Sequence, residues 1–214
     1  FSRLQNESEI YINYFMKFIF ILAFVSMPLV TFFFVCSDQV INIVLGSQWM
    51  EASELFKILA LVALVQPVFS TYGVVLVSTG KSRRFLVLGV IGAIIVCVSF
   101  IIGLPWGAKG VATGYAVGVY LQIFPFLYYS FKHTPVKVSD FLKAVYKPFI
   151  SCLVMGATTF ILLQLLQNMN DITIIGTLLV ISLIIYIVSL ILISHGTQDI
   201  REYCNYGKII LGIR

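Results

Sequence analysis

The sequence predicts an all-α integral membrane protein of six transmembrane helices, and three observations carry that prediction. Apolar residues make up 60% of the chain and charged residues only 11%, whereas soluble domains carry roughly 25% charged residues. Six stretches reach the roughly 20 mostly apolar residues that a helix needs to cross a bilayer. The basic residues between those stretches alternate in density, the pattern of loops lying on opposite sides of a membrane.

In chain order, a polar lead-in over residues 1–14 precedes a first span at 15–35, interrupted by Pro28. The second span, 55–79, contains Gln66-Pro67; the third, 85–104, holds no charge. The fourth is 110–131. The fifth, 148–167, opens on Pro148, which suits a first helical turn where the missing N–H has no partner to lose. The sixth is 172–194, followed by a tail over 195–214. Two connections are more than linkers. The acidic segment 38–54 carries Val40, Ile41, Ile43, Val44 and Leu45 ahead of Gly46 and Trp49. It predicts a short amphipathic interfacial helix, ended by the glycine and anchored by the tryptophan. The basic, aromatic connector 132–147 has room for a surface helix over 138–146. Interfacial anchoring alone accounts for both.

The connections fix an orientation. With the N-terminal end cytoplasmic, the inside segments hold Arg3, Lys17, Lys81, Arg83, Arg84, Lys132, Lys137, Lys143, Lys147, Arg201, Lys208 and Arg214. Those are 12 of the 14 basic residues, leaving Lys57 and Lys109 outside. This bias supports an even number of spans and a cytoplasmic C-terminus. The net charge of +5 is scattered over loops rather than gathered on one face, so it is not a nucleic-acid footprint. Cys36, Cys97, Cys152 and Cys204 show no C-x-x-C spacing and imply neither disulfides nor a metal site. The chain starts at Phe1 rather than Met, which leads us to expect a fragment lacking an N-terminal part.

Residues 107–122 read G-A-K-G-V-A-T-G-Y-A-V-G-V-Y-L-Q, with Gly110, Gly114 and Gly118 four apart and Gln122 on the next step. In an apolar helix this spacing makes a bare face for close backbone approach. In a soluble helix each glycine would cost about 1 kcal/mol relative to alanine. Polar groups also fall at mid-membrane depth. Gln66, Ser70, Thr71 and Tyr72 flank Pro67, and Gln122 lies three residues before Pro125. Buried amides must find partners in protein or in a watery cavity. That makes Gln66, Ser70, Tyr72, Tyr115 and Gln122 candidates to line a substrate cavity; the other reading is hydrogen bonding between neighbouring helices. Lys81, Arg83 and Arg84 form a cytoplasmic cluster that either attracts an anionic head group or simply sets topology. The centres of all six spans lack Asp, Glu, Lys, Arg and His, so no ion-coupling group is visible.

Four segments, taken in order, carry a family resemblance: S-R-L-Q-N (2–6), I-V-L-G-S-Q-W-M-E-A continuing to L-F-K-I-L-A (43–60), S-T-G-K-S-R-R (78–84) and G-A-K-G-V-A-T-G (107–114). Together they resemble the C-terminal half of a polysaccharide (O-antigen or exopolysaccharide, Wzx-type) flippase of the multidrug/oligosaccharidyl-lipid/polysaccharide exporter superfamily. The resemblance covers residues 1 to about 129 and fades through the last two spans. It implies two pseudo-symmetric lobes of 12–14 helices around a cavity, with the present helices forming most of the C-terminal lobe. It further implies a multi-pass protein of the bacterial inner membrane. Its substrate would be an oligosaccharide on undecaprenyl pyrophosphate, and its partners membrane lipids, the N-terminal lobe and other polysaccharide-assembly proteins. The resemblance implies no cofactor and no catalysis. A drug or cation exporter of the same superfamily is the close alternative, against which the S-R-L-Q opening and L-G-x-x-W count. A membrane enzyme would need converging acid–base residues. The histidines are His133 and His195, and His195-G-T-Q-Asp199 has three intervening residues rather than the four of the common acyltransferase motif. A non-transporting assembly scaffold is the third reading.

Overall fold

A computed structural model describes residues 2–132, 134–166 and 170–194, with side chains from Glu9 onward. Among these residues the secondary structure is helical and contains no strand. The helices are α1 (Ser2–Val35), α2 (Ser37–Val44), α3 (Glu51–Phe69), α4 (Tyr72–Ser78), α5 (Ser82–Gly103), α6 (Gly107–Phe131), α7 (Val138–Leu165) and α8 (Asp171–Ile193). Among the described residues, five continuous stretches are long and apolar enough to cross a membrane, and the one over Ser82–Phe131 is 50 residues long. A helix of that length would run about 75 Å, more than twice a hydrocarbon core of about 30 Å. It folds back on itself as α5 and α6 through a short turn, Leu104–Trp106, with Pro105 inside it and Gly107 at φ +66. The positive φ is the one that glycine adopts without a Cβ clash. Counting the hairpin as two, six crossing-length helical segments result.

The helix bounds depart from the sequence-based ones at three places. The first helix runs upstream of residue 15 to Ser2, taking in most of the polar lead-in. The second span is not a bent rod but two helices, since α3 stops at Phe69 and α4 starts at Tyr72. Pro67 cannot offer an N–H to the carbonyl four residues back. The helix ends just after it: Ser70 N–H still makes the ordinary four-residue bond to Gln66 O at 2.9 Å, and the turn then tightens with Thr71 N–H on Val68 O, three residues back, at 3.2 Å. The Ser70 and Thr71 hydroxyls cap Pro67 O and Val68 O at 2.9 and 2.7 Å. Finally, the surface helix over 138–146 and the fifth span are one helix, α7, and Pro148 lies buried in its interior rather than in a first turn. Spanning helices tolerate such prolines where neighbours re-satisfy the backbone.

The chain divides into two compact units. One comprises residues 1–36 and 139–214 and contains α1, nearly all of α7, and α8. In it Tyr186 of α8 packs on Phe24 of α1, with ring centroids 5.6 Å apart. Thr31 of α1 rests against the bare Cα of Gly156 in α7, where an added Cβ would meet its methyl at 3.0 Å. The other unit, residues 37–138, is built on α6, which packs against α5, α3 and α4. Here the glycine stripe does what its spacing predicts. A Cβ on Gly110 would collide with the Gly103 carbonyl, and one on Gly114 would lie 2.5 Å from the Ser99 carbonyl oxygen. At Gly118 it would sit 2.5 Å from Ser99 Oγ. The two backbones touch, and only glycine fits.

Two sets of polar contacts mark the ends of this second unit. At one end Asp38 accepts both Ser53 Oγ and a two-oxygen contact from Lys57 Nζ at 2.9 Å, and Lys109 pairs with Glu54. The Glu54–Lys109 pair joins the first turns of α3 and α6, so these helices run parallel. At the other end Arg84, near the start of α5, donates to Lys132 O just past the end of α6 at 2.8 Å. The amphipathic α2 ends as its sequence predicts, with Gly46 at φ +92; Ile41 is buried, and Val44 and Trp49 are exposed.

Candidate functional site

Between α3, α5 and α6 lies a cleft of about 300 Å³ lined by Gln66, Phe69, Gly92, Ala93, Val96, Tyr115, Val119 and Gln122. Three of the five cavity candidates meet here. Parallel packing of α3 and α6 explains why. Gln66 and Gln122 each lie 15 residues beyond the first residue of their helix, a depth of about 22 Å at 1.5 Å per residue. The amides therefore arrive at matched height. Tyr115, two turns earlier on α6, reaches across and donates its hydroxyl to Gln66 Oε1 at 3.3 Å.

The three polar groups differ in freedom. Gln122 is buried at 6% exposure, donates Nε2 to Gly118 O at 2.9 Å, and turns Oε1 toward Gly92. A Cβ on Gly92 would lie 3.0 Å from that oxygen, so Gly92 is what lets the amide fit. Much of Gln122 is thus committed to the α5–α6 seam. Gln66 is exposed to the cleft, and Tyr115 holds one lone pair of its carbonyl oxygen. The Gln66 amide nitrogen offers two N–H donors, and its oxygen keeps a second acceptor site. Phe69, Ala93, Val96 and Val119 supply apolar walls. Such a mixture suits a ligand with hydroxyl groups and apolar ring faces; the cleft lining contains no ionisable acid or base other than the phenol. An apolar groove of about 440 Å³ sits beside it, lined by Leu55, Leu59, Phe100, Ala108, Val111 and Ala112 and sharing Tyr115.

The other candidates go elsewhere. Ser70 turns back to its own backbone at Pro67 O. Tyr72 enters an aromatic cluster with Phe69, Phe85 and Phe126 at centroid distances of 5.1, 6.2 and 6.0 Å. The cluster sits on buried Leu76 and Leu88. Lys81 closes α4: its N–H reaches Leu76 O at 2.7 Å while Gly80, at φ +72, bonds Val77 O at 3.1 Å. That paired arrangement is the glycine C-cap in which two terminal carbonyls are satisfied at once. Arg84 is engaged twice, at Lys132 O and over the Tyr129 ring at 5.5 Å. Arg83 is exposed. His133, His195 and Asp199 lie outside the described residues.

Sequence reasoning missed Gly92 and the two ion pairs. Gly92 had a signal, since a glycine inside an apolar helix marks a close approach. The ion pairs had none, because Asp38 and Lys57 are separated by a turn whose path only the fold specifies. Burial alone would raise the Asp38 carboxyl, but the hydrogen bonds from Ser53 and Lys57 and the Lys57 charge hold it below the ordinary carboxylate value.

A family model described as "Polysaccharide biosynthesis protein" matches residues 1–54, which is 54 of 214 residues. The matched part takes in the S-R-L-Q-N opening and the I-V-L-G-S-Q-W-M-E-A segment, and ends in the first turn of α3, before the cleft. No curated protein and no solved structure matches the chain.

Proposed function

We propose that this chain forms part of the C-terminal lobe of a transporter that moves undecaprenyl-pyrophosphate-linked oligosaccharide across the bacterial inner membrane by alternating access. The observation that carries the reading is the cleft, where Gln66 and Gln122 lie at matched depth and Tyr115, two turns earlier on α6, reaches across to Gln66. Sugars are recognised by hydrogen bonds together with apolar ring faces, and an amide and a phenol between apolar walls supply both. The similarity of residues 1–54 to polysaccharide biosynthesis proteins supports the same substrate class. The exposed Arg83, beside an Arg84 already committed to Lys132 and Tyr129, is the member of the basic cluster best able to meet a pyrophosphate at the loading side. The work assigned to the protein is binding and conformational change, with no bond made or broken.

The test is complementation of a flippase-deficient strain with the full-length protein, scoring surface polysaccharide. Gln66→Leu keeps the side-chain volume and removes the donors and acceptor. Surface polysaccharide should fall at least severalfold while the amount of folded protein in the membrane stays the same. Unchanged export would remove Gln66 from the site, and a failure of the unaltered gene to complement would remove the transport reading.

A further inference from the structure

We propose that Pro28 and Tyr186 form a latched hinge coupling α1 to α8. Pro28 sits inside α1 and has no N–H to offer, so the carbonyl of Phe24, four residues back, is denied its helical donor. Tyr186 of α8 lies 162 residues further along the chain, and its hydroxyl donates to that same Phe24 oxygen at 3.2 Å. The tyrosine is 1% exposed, and Ala23 and Met27 beside the carbonyl are 0% and 1% exposed. At this partly buried contact the tyrosine supplies the donor that the proline withholds. Two requirements meet at one contact: a buried hydroxyl needs an acceptor, and a carbonyl orphaned by proline needs a donor. The Phe24 and Tyr186 rings, 5.6 Å apart, hold the pair in register.

The contrast with Pro67 shows what is distinctive here. At Pro67 the carbonyl left without its helical donor is that of Ala63, whereas the Ser70 and Thr71 hydroxyls bond Pro67 O and Val68 O, at the end of the same helix. At Pro28 the donor to the orphaned carbonyl comes from a different helix. Closed, the contact fixes the proline-weakened turn of α1 against α8, and the two helices move together. Open, residues 24–28 become the point at which α1 bends independently, because a proline turn lacks one rung of the helical ladder. The inference concerns α1 and α8 alone and stands apart from the identity of any substrate.

The test is a double-mutant cycle on the full chain in nanodiscs, comparing the unaltered protein, Tyr186→Phe, Pro28→Ala and the double variant. Amide exchange is read over residues 25–31, with melting temperature measured in parallel. Tyr186→Phe alone should speed exchange there by roughly threefold or more, the scale of one interhelical hydrogen bond in a membrane. In the Pro28→Ala background the backbone N–H gained at that position takes the Phe24 carbonyl, and the same tyrosine change should then leave exchange unaltered. An equal effect in both backgrounds, or none in either, overturns the latch. If Tyr186→Phe alone fails to accumulate as folded protein, recovery in the double variant supports it and equal failure in the double variant refutes it.

Discussion

At the scale of single residues, the unit 37–138 depends on side chains that are absent. Gly114 faces the Ser99 carbonyl oxygen, where a Cβ would lie at 2.5 Å, while Gly89 on α5 has nothing within 4 Å of the same position. The contrast gives a matched pair of substitutions. Gly114→Leu forces the α5 and α6 backbones apart and should destabilise the protein by about 1–3 kcal/mol or more, the usual scale of overpacking. Gly89→Leu adds the same atoms into open space and should leave melting in detergent close to that of the unaltered protein. Equal melting temperatures for the two variants would refute the packing role of the stripe. The same reasoning tempers Gln122, whose amide is held by Gly118 and fitted against Gly92. Of the two glutamines, Gln66 has the free hydrogen-bonding capacity.

At the scale of elements, what was legible in the sequence is what depends on local chemistry. Long apolar runs became the spanning helices, Gly46 ended α2, and four-residue glycine spacing became the α5–α6 contact. What depends on distant partners was not legible. Tyr72 is close to Gln66 in sequence, yet six residues at about 100° each place it 240° around a continuous helix, and the break at Ser70 and Thr71 separates the two further. Proximity along the chain therefore grouped residues that the fold sends to a cleft and to an aromatic cluster. Pro148 read as a helix start because proline is favoured there, but α7 carries it in its interior. The tie between α2 and α3 yields a prediction at this scale. Because the folded Asp38 carboxyl titrates below its ordinary value, its contribution to stability is present above about pH 4 and is lost as pH falls through the folded value. Asp38 and Lys57 are 46% and 37% exposed, so that contribution is small, about 1 kcal/mol or less. Asp38→Asn should lower the melting temperature slightly at pH 7, and the gap from the unaltered protein should close below pH 4. A gap that stays constant with pH would mean that the charge of Asp38 contributes nothing.

At the scale of the whole molecule, the matter to decide is which way the helices cross. In the orientation expected from the sequence, 12 of the 14 basic residues fall on one side, and Lys57 and Lys109 fall on the other. Both exceptions turn out to be neutralised by acids of their own end, Lys57 by Asp38 and Lys109 by Glu54. It is positive charge near span ends that sets orientation. Ser47, Asn170 and Ser82 are exposed and lie in or at the edges of the connections. In a background with the four native cysteines replaced, a cysteine at Ser47 or Asn170 should react with an impermeant thiol reagent added outside intact cells. One at Ser82 should react only after the membrane is opened. Labelling of Ser82 with protection of the other two would reverse the orientation and put the basic cluster of Lys81, Arg83 and Arg84 outside. Labelling of Ser47 with protection of Asn170 would mean an odd number of crossings between them. That result would break the single passage of α3 with α4, the hairpin reading of residues 82–131 or the single passage of α7, so this one experiment tests orientation and helix count together.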